Sequence, residues 1–241
     1  MALPKLDCII YDLTLPLSKK EIRFRPFLVK EQRNLLIAME SDDKETIEKN
    51  IKQVIQNCTI SPVLDIDSLP ILDVEFYFIN LRARSVGEVV ESKYRCENDV
   101  EGKPCNNIME SNFNLLEIEV NFDENIKDVI QLSDQISIKF KYPQYSIMKA
   151  VNQTNSLNDI AFAMIIDSIE HIYDGQQFFY AKETERTELI DFIESLNTEQ
   201  FAKIQEFFEH LPKLNKNINI VCSKCGHHHS IEVEGLENFF G

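Results

Sequence analysis

Four cysteines occur in two pairs that have the residue types and the setting of a metal site. Cys222 and Cys225 form a Cys-x-x-Cys-Gly motif with Gly226. The residues on both sides alternate as β-strands do, so the motif lies in a tight turn that directs both sulfur atoms to one point. Cys96 and Cys105 form a second pair, also flanked by strand-like segments. The sequence therefore predicts a four-cysteine zinc site built from two hairpins that lie far apart along the chain.

The spacing within the first pair is wide, because eight residues (97–104) separate its cysteines, whereas zinc motifs use roughly two to four. In an alternative interpretation, this pair belongs to an ordinary loop and Cys222 and Cys225 form a redox pair. Thioredoxin-like redox motifs open a helix, however, whereas strand-like segments flank this one. Four thiolates also leave no position for an activated water. The predicted role of the zinc is therefore structural.

The remaining cysteines and the histidines are expected to have ordinary structural roles. Three histidines follow the second cysteine pair at 227–229; successive strand residues alternate faces, so at most one or two of them can reach the metal, and solvated turn residues are expected. Cys8 and Cys58 lie in apolar patterns and are predicted to be small core residues. His171 and His210 are predicted to lie near helix ends, where a cation is favoured at the carboxyl terminus.

The chain lacks the sequence motifs of common catalytic and cofactor sites. It has no phosphate-binding loop, dinucleotide-binding glycine motif, nucleophile elbow or His-Glu-x-x-His motif, and six glycines in all. Acidic pairs such as Asp65 with Asp67 are expected on the solvated surface of an acidic chain. We therefore predict no catalytic residue, no small-molecule substrate and a protein that is not an enzyme.

The charge of the chain restricts the class of its partners. Its 241 residues include 40 acidic and 25 basic side chains, which gives a formal net charge of −15. Nucleic-acid binding depends on a basic surface that releases counterions, so a nucleic-acid partner is not expected. The most apolar run, residues 69–81, contains three polar residues and is shorter than the roughly 20 residues that span a bilayer. With no secretory signal pattern, we expect no membrane insertion and a reducing compartment.

Hydrophobic periodicity predicts an α+β fold, in which mixed small sheets accompany a helical subdomain and a zinc-ribbon-like module made of two hairpins. Asp42 with Glu45, and Asn197 with Gln200, are expected to form capping boxes at two helix starts. Strands are predicted within residues 9–13, 22–25, 89–140 and 218–233. Helices are predicted over residues 26–39, 42–58, 68–84, 157–172, 189–196 and 197–211.

The two cysteine pairs connect the middle of the chain to its end, which predicts a single interwoven domain over residues 1–241. Within it, residues 1–88 form N-terminal strands and helices, and residues 145–212 form the helical subdomain. Residues 89–141 together with 217–241 form the zinc-ribbon-like module.

Several aromatic residues lie at positions that the hydrophobic core is not expected to need. Most are still expected to be buried. Phe239 and Phe240 are predicted to contact a partner protein, because a chain end docks only where something holds it. The others are Phe24, Phe27 and the Phe-Phe-Tyr segment at 178–180.

Four segments together with the Cys-x-x-Cys-Gly motif resemble the baseplate hub-assembly proteins of T-even-type contractile-tailed bacteriophages. The segments are residues 20–27 (KEIRFRPF), 30–32 (KEQ), 84–88 (RSVGE) and 234–240 (EGLENFF). The resemblance implies a non-enzymatic protein of the tail baseplate pathway, either a hub structural subunit or a hub-assembly factor. It also implies other baseplate hub proteins as partners, and a location in the host cytoplasm during assembly and in the virion tail baseplate.

Two other functions remain open at the level of sequence. A zinc-ribbon nucleic-acid-binding regulatory protein would have the same cysteine motif, although the net charge argues against it. A metal-dependent enzyme would need an open coordination position, or the three histidines converging with acidic residues in one cleft.

Overall fold

Helices and short antiparallel strands alternate along the chain, as the mixture of sequence periods predicts. The computed structural model describes residues 6–40, 43–123, 127–153 and 156–234. The helices are α1 (Val29–Glu40), α2 (Lys44–Cys58), α3 (Ile71–Val86), α4 (Met148–Gln153), α5 (Leu157–Ser168), α6 (Arg186–Glu194) and α7 (Thr198–Glu209). The strands are β1 (Tyr11–Thr14), β2 (Glu21–Phe24), β3 (Thr59–Ser61), β4 (Val89–Arg95), β5 (Asp99–Val100), β6 (Lys103–Pro104), β7 (Ile108–Asn114), β8 (Glu119–Asn121), β9 (Val129–Gln131), β10 (Ser137–Phe140), β11 (Ile169–Tyr173), β12 (Phe178–Tyr180), β13 (Lys213–Val221) and β14 (His228–Glu234). The predicted α+β class with small sheets is confirmed.

The strands form separate small sheets whose pairings are all antiparallel. Two of the sheets have three strands, in the orders β1-β2-β3 and β14-β13-β8, and one has four, in the order β12-β11-β10-β9. The pairs β4-β7 and β5-β6 complete the set. The four-stranded sheet joins strands from residues 89–141 with strands from residues 145–212, and so crosses the boundary predicted between the ribbon-like module and the helical subdomain.

Helix α3 lies between two hydrophobic cores, which explains its nearly continuous apolar sequence. One face, with Val74, Tyr77 and Leu81, packs into a core formed with β1, β2 and α2. The opposite face, with Ile79 and Ala83, packs into a core formed with β4, β7, β8, β13 and β14. A helix that is apolar all round is buried on more than one side. A third core, between the four-stranded sheet and helices α5, α6 and α7, completes the interior.

A buried carboxylate fixes the β1–β2 connection onto helix α3. Asp73 is fully buried, and its two carboxylate oxygens accept hydrogen bonds from the backbone N–H groups of Leu17 and Ser18 at 2.7 and 2.8 Å. A buried charge is tolerated when hydrogen bonds replace its lost hydration. Helix α3 therefore positions the N-terminal hairpin as well as the two cores.

Helix α1 begins at Val29, three residues later than predicted, because Glu31 holds the preceding segment outside the helix. The buried Glu31 carboxylate accepts from the Leu28 backbone N–H at 2.8 Å and from the Arg25 guanidinium at 3.2 Å. These contacts fix the chain around Pro26 in a non-helical path. The salt bridge and cap also lower the pKa of Glu31, although burial alone would raise it.

The predicted cap at the start of helix α2 is wrong by one residue. Asp42 lies outside the described residues, and the side chain of Asp43 accepts from the backbone N–H of Thr46 at 3.1 Å. The capping box formed by Asn197 and Gln200 at the start of α7 is confirmed.

The helix predicted over residues 157–172 is wrong in its last part, since α5 ends at Ser168 and β11 begins at Ile169. The register between β10 and β11 shifts at Phe140, where an extra residue of β11 forms an irregularity. A bulge of this kind places residues three apart on one face of a strand. Ile169 and Ile172 are therefore both buried with a spacing that imitates one turn of helix.

The predictions for isolated histidines and cysteines have mixed outcomes. His210 caps α7, with its Nδ1 atom 2.7 Å from the carbonyl oxygen of Glu206, as predicted. His171 lies within β11 and not at a helix end, so that prediction is wrong. Cys58 is buried as predicted, whereas Cys8 is exposed and is not a core residue.

The predictions for the aromatic residues also have mixed outcomes. Phe24 is buried between Tyr11 and Tyr77, whereas the three aromatic residues of β12 remain exposed on an outer strand of the four-stranded sheet. Phe239 and Phe240 lie outside the described residues. Within the part of the chain that the structure describes, no helix has the length and apolarity needed to cross a membrane.

Helix α3 also carries one carboxylate whose environment is unfavourable. Glu75 lines a cavity of about 430 Å³ together with Leu17, Leu72, Tyr142, Met164 and Leu214. Burial raises the pKa of Glu75 from 4.5 to about 7, with no compensating contact. An acid whose pKa is raised by folding destabilises the folded state once it ionises.

We expect Glu75 to make stability fall as the pH rises. Between the unfolded pKa of 4.5 and the folded pKa of about 7, the folded state binds more protons than the unfolded state, so its stability decreases over this range. The full shift corresponds to about 3 kcal/mol, and residual solvent contact of the partly buried side chain reduces this to about 2 kcal/mol.

Urea unfolding of the wild type and of Glu75→Gln at pH 5 and pH 8 measures the effect. The variant should gain stability relative to the wild type at pH 8 and little at pH 5. An equal difference at both pH values would contradict this account of Glu75.

Candidate metal centre

The sulfur atoms of Cys96, Cys105, Cys222 and Cys225 converge, and all lie within 4.8 Å of one another. The Sγ atoms of Cys96 and Cys225 are 3.6 Å apart, and those of Cys105 and Cys222 are 3.9 Å apart. A tetrahedral zinc with bonds of about 2.3 Å to sulfur requires sulfur–sulfur distances of about 3.8 Å. A disulfide would require about 2.05 Å, and the four cysteines are free. The arrangement is compatible with a metal site that has four sulfur ligands.

The cluster is largely shielded from solvent. Cys96, Cys105 and Cys222 are buried with Met109, and Cys225 is partly buried against them. Sulfur atoms gathered this closely are soft donors, an arrangement compatible with a bound metal ion. The donor set is therefore the one that a soft or borderline metal ion prefers.

The two hairpins that supply the cysteines have the same local backbone structure. In the first, the Cys96 N–H donates to the Asn107 carbonyl oxygen at 2.8 Å, and the Asn106 N–H donates to the Cys96 carbonyl oxygen at 3.0 Å. In the second hairpin, two equivalent bonds of 2.8 Å join Cys222 with His227 and Gly226 with Cys222. Asn106 and Gly226 both have positive φ, at 52° and 73°. The equivalent pairs are Cys96 and Cys222, Cys105 and Cys225, Asn106 and Gly226, and Asn107 and His227.

The wide spacing in the first pair has a structural explanation. Strands β5 and β6 form a small hairpin between Cys96 and Cys105, with positive φ at Glu101 and Gly102 in its turn. The Cys105 N–H donates to the Asn98 carbonyl oxygen at 2.8 Å and closes the base of this insertion. The insertion leaves both backbone bonds around Cys96 in place, so the geometry of a short motif survives the longer gap.

Side chains surrounding the cluster donate to its sulfur atoms across the two hairpins. Asn98 Nδ2 lies 3.6 Å from Cys225 Sγ, and Asn107 Nδ2 lies 3.5 Å from Cys222 Sγ. Each asparagine thus belongs to the first hairpin and contacts a cysteine of the second. Such outer contacts orient the ligands of a metal site and disperse their negative charge.

Backbone hydrogen-bond donors and burial shift the pKa values of the thiols in opposite directions. The N–H groups of Cys225 and Lys224 donate to the sulfur of Cys222 and lower its pKa. Burial raises the pKa of Cys96, against a backbone hydrogen bond from Asn98 that lowers it. Burial thus favours the neutral thiol of Cys96, whereas backbone donors favour the thiolate of Cys222.

His229 lies closer to the cluster than a solvated turn residue would. Its Nε2 atom is 3.2 Å from Cys96 Sγ, and its ring contacts that of His227, while His228 points to solvent. Sequence reasoning allowed one or two of the histidines to assist but did not identify which. It missed Asn98 and Asn107 completely, because amides near a cysteine motif carry no signal without the pairing of the hairpins.

The cluster has the features of a closed structural site. Among the described residues, these four cysteines form the only group of three or more candidate ligands within metal-binding distance. The histidines at 227–229 do not converge with acidic residues there, as a catalytic metal centre would require. A full set of sulfur ligands favours a role in holding the two hairpins together.

Comparison with known proteins gives one match. A family model described as T4 bacteriophage base plate protein matches residues 9–241 of the chain. No curated protein and no solved structure gives a significant match.

Shortening the β5–β6 insertion should leave the cysteine cluster intact. Replacing residues 97–104 with Ser-Lys, the two residues between Cys222 and Cys225, gives the first hairpin the loop of the second. We expect the chain to retain its metal, because the bonds between Cys96, Asn106 and Asn107 do not depend on the insertion. Loss of the Asn98 contact with Cys225 should weaken the affinity without abolishing binding.

Metal analysis of the purified variant measures the outcome, with far-ultraviolet circular dichroism as a folding check. Loss of metal from a folded variant would show that the insertion itself is needed, and would contradict the proposed equivalence of the two hairpins.

Proposed function

This chain belongs to the T4 bacteriophage base plate protein family, and from that premise we propose that it acts in the hub of the tail baseplate, as a hub subunit or as a hub-assembly factor. The match over residues 9–241 supports a baseplate protein, and the assignment to the hub is the proposed part. A phage baseplate structural protein works through contacts with other baseplate proteins. Hub proteins are the proposed partners, since the cysteine motif and the segments around it resemble hub-assembly proteins.

A non-enzymatic role is consistent with this family. Membership in a structural family favours contacts over catalysis. Four cavities along the described residues are lined mostly by apolar or scattered charged side chains, without a nucleophile paired to a base. The chain is proposed to act in the host cytoplasm during assembly and, as a hub subunit, to reside at the tail baseplate.

The metal held by Cys96, Cys105, Cys222 and Cys225 is proposed to be zinc. Four sulfur ligands in tetrahedral arrangement suit zinc or iron. Zinc is favoured because two short hairpins that each supply a ligand pair, with glycine-like backbone after the second cysteine, make a zinc-ribbon-like module. A zinc ion bound there neutralises part of the thiolate charge and links the middle of the chain to its end.

The same link supports the proposal of a single interwoven domain. The cluster joins β4 and β7 to β13 and β14, and the core beneath it adds helix α3 from the N-terminal third of the chain. Zinc binding to structural sites has apparent free energies of about 10–16 kcal/mol, comparable with the whole stability of a domain. Docking of the two hairpins would then depend on the ion.

The net charge favours protein partners over nucleic acid. At −15 the chain repels a polyanion on average, so a nucleic-acid-binding regulatory role has less support than a baseplate role. Basic surfaces on neighbouring proteins would instead be attracted, which raises encounter rates and helps to select the partner.

Loss of one cysteine ligand should remove the metal and destabilise the protein. We expect about one zinc per wild-type chain and substoichiometric zinc in Cys222→Ser, because three thiolates hold the ion less tightly. The midpoint of thermal unfolding should fall by roughly 10 °C or more, since a few kcal/mol shifts the midpoint of a chain of this size by that amount.

Metal analysis by mass spectrometry and thermal unfolding measure both effects. Cys8→Ser is the matched control, since Cys8 is exposed and does not belong to the cluster, and this variant should keep its zinc. Wild-type protein that folds without any metal would remove the zinc proposal.

Location in the hub should be visible by cross-linking. In purified baseplates and baseplate precursors, we expect lysine cross-links from this chain to hub proteins. Mass spectrometry identifies the linked peptides, and comparison with mature particles separates a retained subunit from an assembly factor. Cross-links confined to peripheral baseplate proteins would contradict the hub assignment while leaving the family assignment intact.

A further inference from the structure

We propose that the cavity beside helix α3 is a docking site for a lysine or arginine side chain of another baseplate protein, with Glu75 as its counter-ion. The inference rests on the proposed role of this chain in baseplate contacts. It concerns a surface separate from the cysteine cluster.

The cavity combines apolar walls with one carboxylate. It has a volume of about 430 Å³ and lies where helix α3, the segment after β10, helix α5 and the start of β13 meet. Leu17, Leu72, Met164 and Leu214 supply apolar wall, and Tyr142 lies at the same opening. A lysine or arginine side chain matches this lining, because it has an apolar stem and a positively charged end.

The Glu75 carboxylate has no hydrogen-bond or ion-pair partner in the part of the chain that the structure describes. Among the described residues, no hydrogen bond or ion pair involves its carboxylate, and burial is the sole cause of its raised pKa. Lys213 also lines the cavity, yet it makes no contribution to the pKa of Glu75. The contrast with Asp73, two residues earlier on the same helix, is informative, because both oxygens of Asp73 accept backbone hydrogen bonds.

An unpaired carboxylate in apolar surroundings costs stability. A cation that enters from outside offsets this loss of stability, because it forms an ion pair with the carboxylate in a partly desolvated environment. Buried charged anchors of this kind, surrounded by apolar contacts, account for much of the affinity of protein interfaces. The charge of −15 on the whole chain favours a basic partner in the same way.

Side-chain analogues test the site directly on the full chain. The probes are n-butylammonium and n-propylguanidinium, with n-butanol as a neutral control, and an acetylated and amidated Leu-Lys-Leu peptide. The chain has five methionines, and selective carbon-13 labelling of their methyl groups gives a local signal. Met164 lines the cavity and Met109 packs in the cysteine cluster, so the second reports on overall folding.

We expect both cations and the lysine peptide to shift the Met164 signal in a saturable manner, with the Met109 signal unchanged. Binding should weaken about tenfold or more in Glu75→Gln, because a charge-assisted hydrogen bond is lost. Asp65→Asn is the matched control and should bind as the wild type does, since Asp65 is an exposed carboxylate outside the cavity. If Glu75→Gln disturbs Met109, Glu75→Leu provides the comparison.

Several results would overturn the proposal. They are equal binding of n-butanol and n-butylammonium, unchanged binding in Glu75→Gln, failure of the lysine peptide to bind, and absence of any saturable shift. Binding that occurs only after truncation at Glu234 would identify the chain's own C-terminal segment as the occupant, and would also overturn it. None of these results depends on metal content or on cross-linking, so the baseplate and zinc proposals can fail independently.

Discussion

The meeting of four sulfur atoms from two hairpins is the constraint on which the rest of the structure depends. Cys105 and Cys222 are 117 residues apart in sequence, and their side chains are 3.9 Å apart. Closing a chain segment of that length costs roughly 4–5 kcal/mol of conformational entropy in simple loop models. The core between helix α3 and strands β4, β7, β8, β13 and β14 lies directly against this junction. The hairpins and the core therefore stabilise each other.

Helix α3 is the second organising element. It carries two carboxylates, one with hydrogen-bond partners in the interior and one without. Asp73 is fully buried and tolerated because the backbone of the β1–β2 connection supplies its hydrogen bonds. Glu75 faces a cavity and has no such partner. The first holds the fold together, whereas the second is unfavourable for the isolated chain. A protein whose function lies in its contacts is expected to retain groups of the second kind where a partner binds.

The sequence predicted most of the elements and the convergence of the four cysteines, because both depend on local pattern. The Cys-x-x-Cys-Gly motif has a mechanism that fixes its turn, and the flanking alternation identifies the strands. The segments at 20–27 and 84–88 also proved to be neighbours, since Phe27 donates its backbone N–H to the Ser85 hydroxyl at 2.9 Å. Their contact could not be read from their sequences, because each segment is short.

The misses have physical causes that lie outside local pattern. The irregular pairing of β11 gave Ile169 and Ile172 a helical spacing within a strand, and only the neighbouring strand determines where such a bulge falls. Glu31 delayed the start of helix α1 through a side-chain contact with Arg25. The amides of Asn98 and Asn107 became relevant only through the opposite hairpin. In each case tertiary contacts outweighed the local preference.

The distribution of the cysteines along the chain also has a consequence for the order in which the protein is made. A ribosome adds roughly 5–20 residues per second, so the 117 residues that follow Cys105 up to and including Cys222 take roughly 6–23 seconds to translate. During this interval the nascent chain carries half of the site. Cys222 is added only at the end of this stretch, and Cys225 after it. A product that terminates before Cys222 therefore cannot bring the four sulfur atoms together.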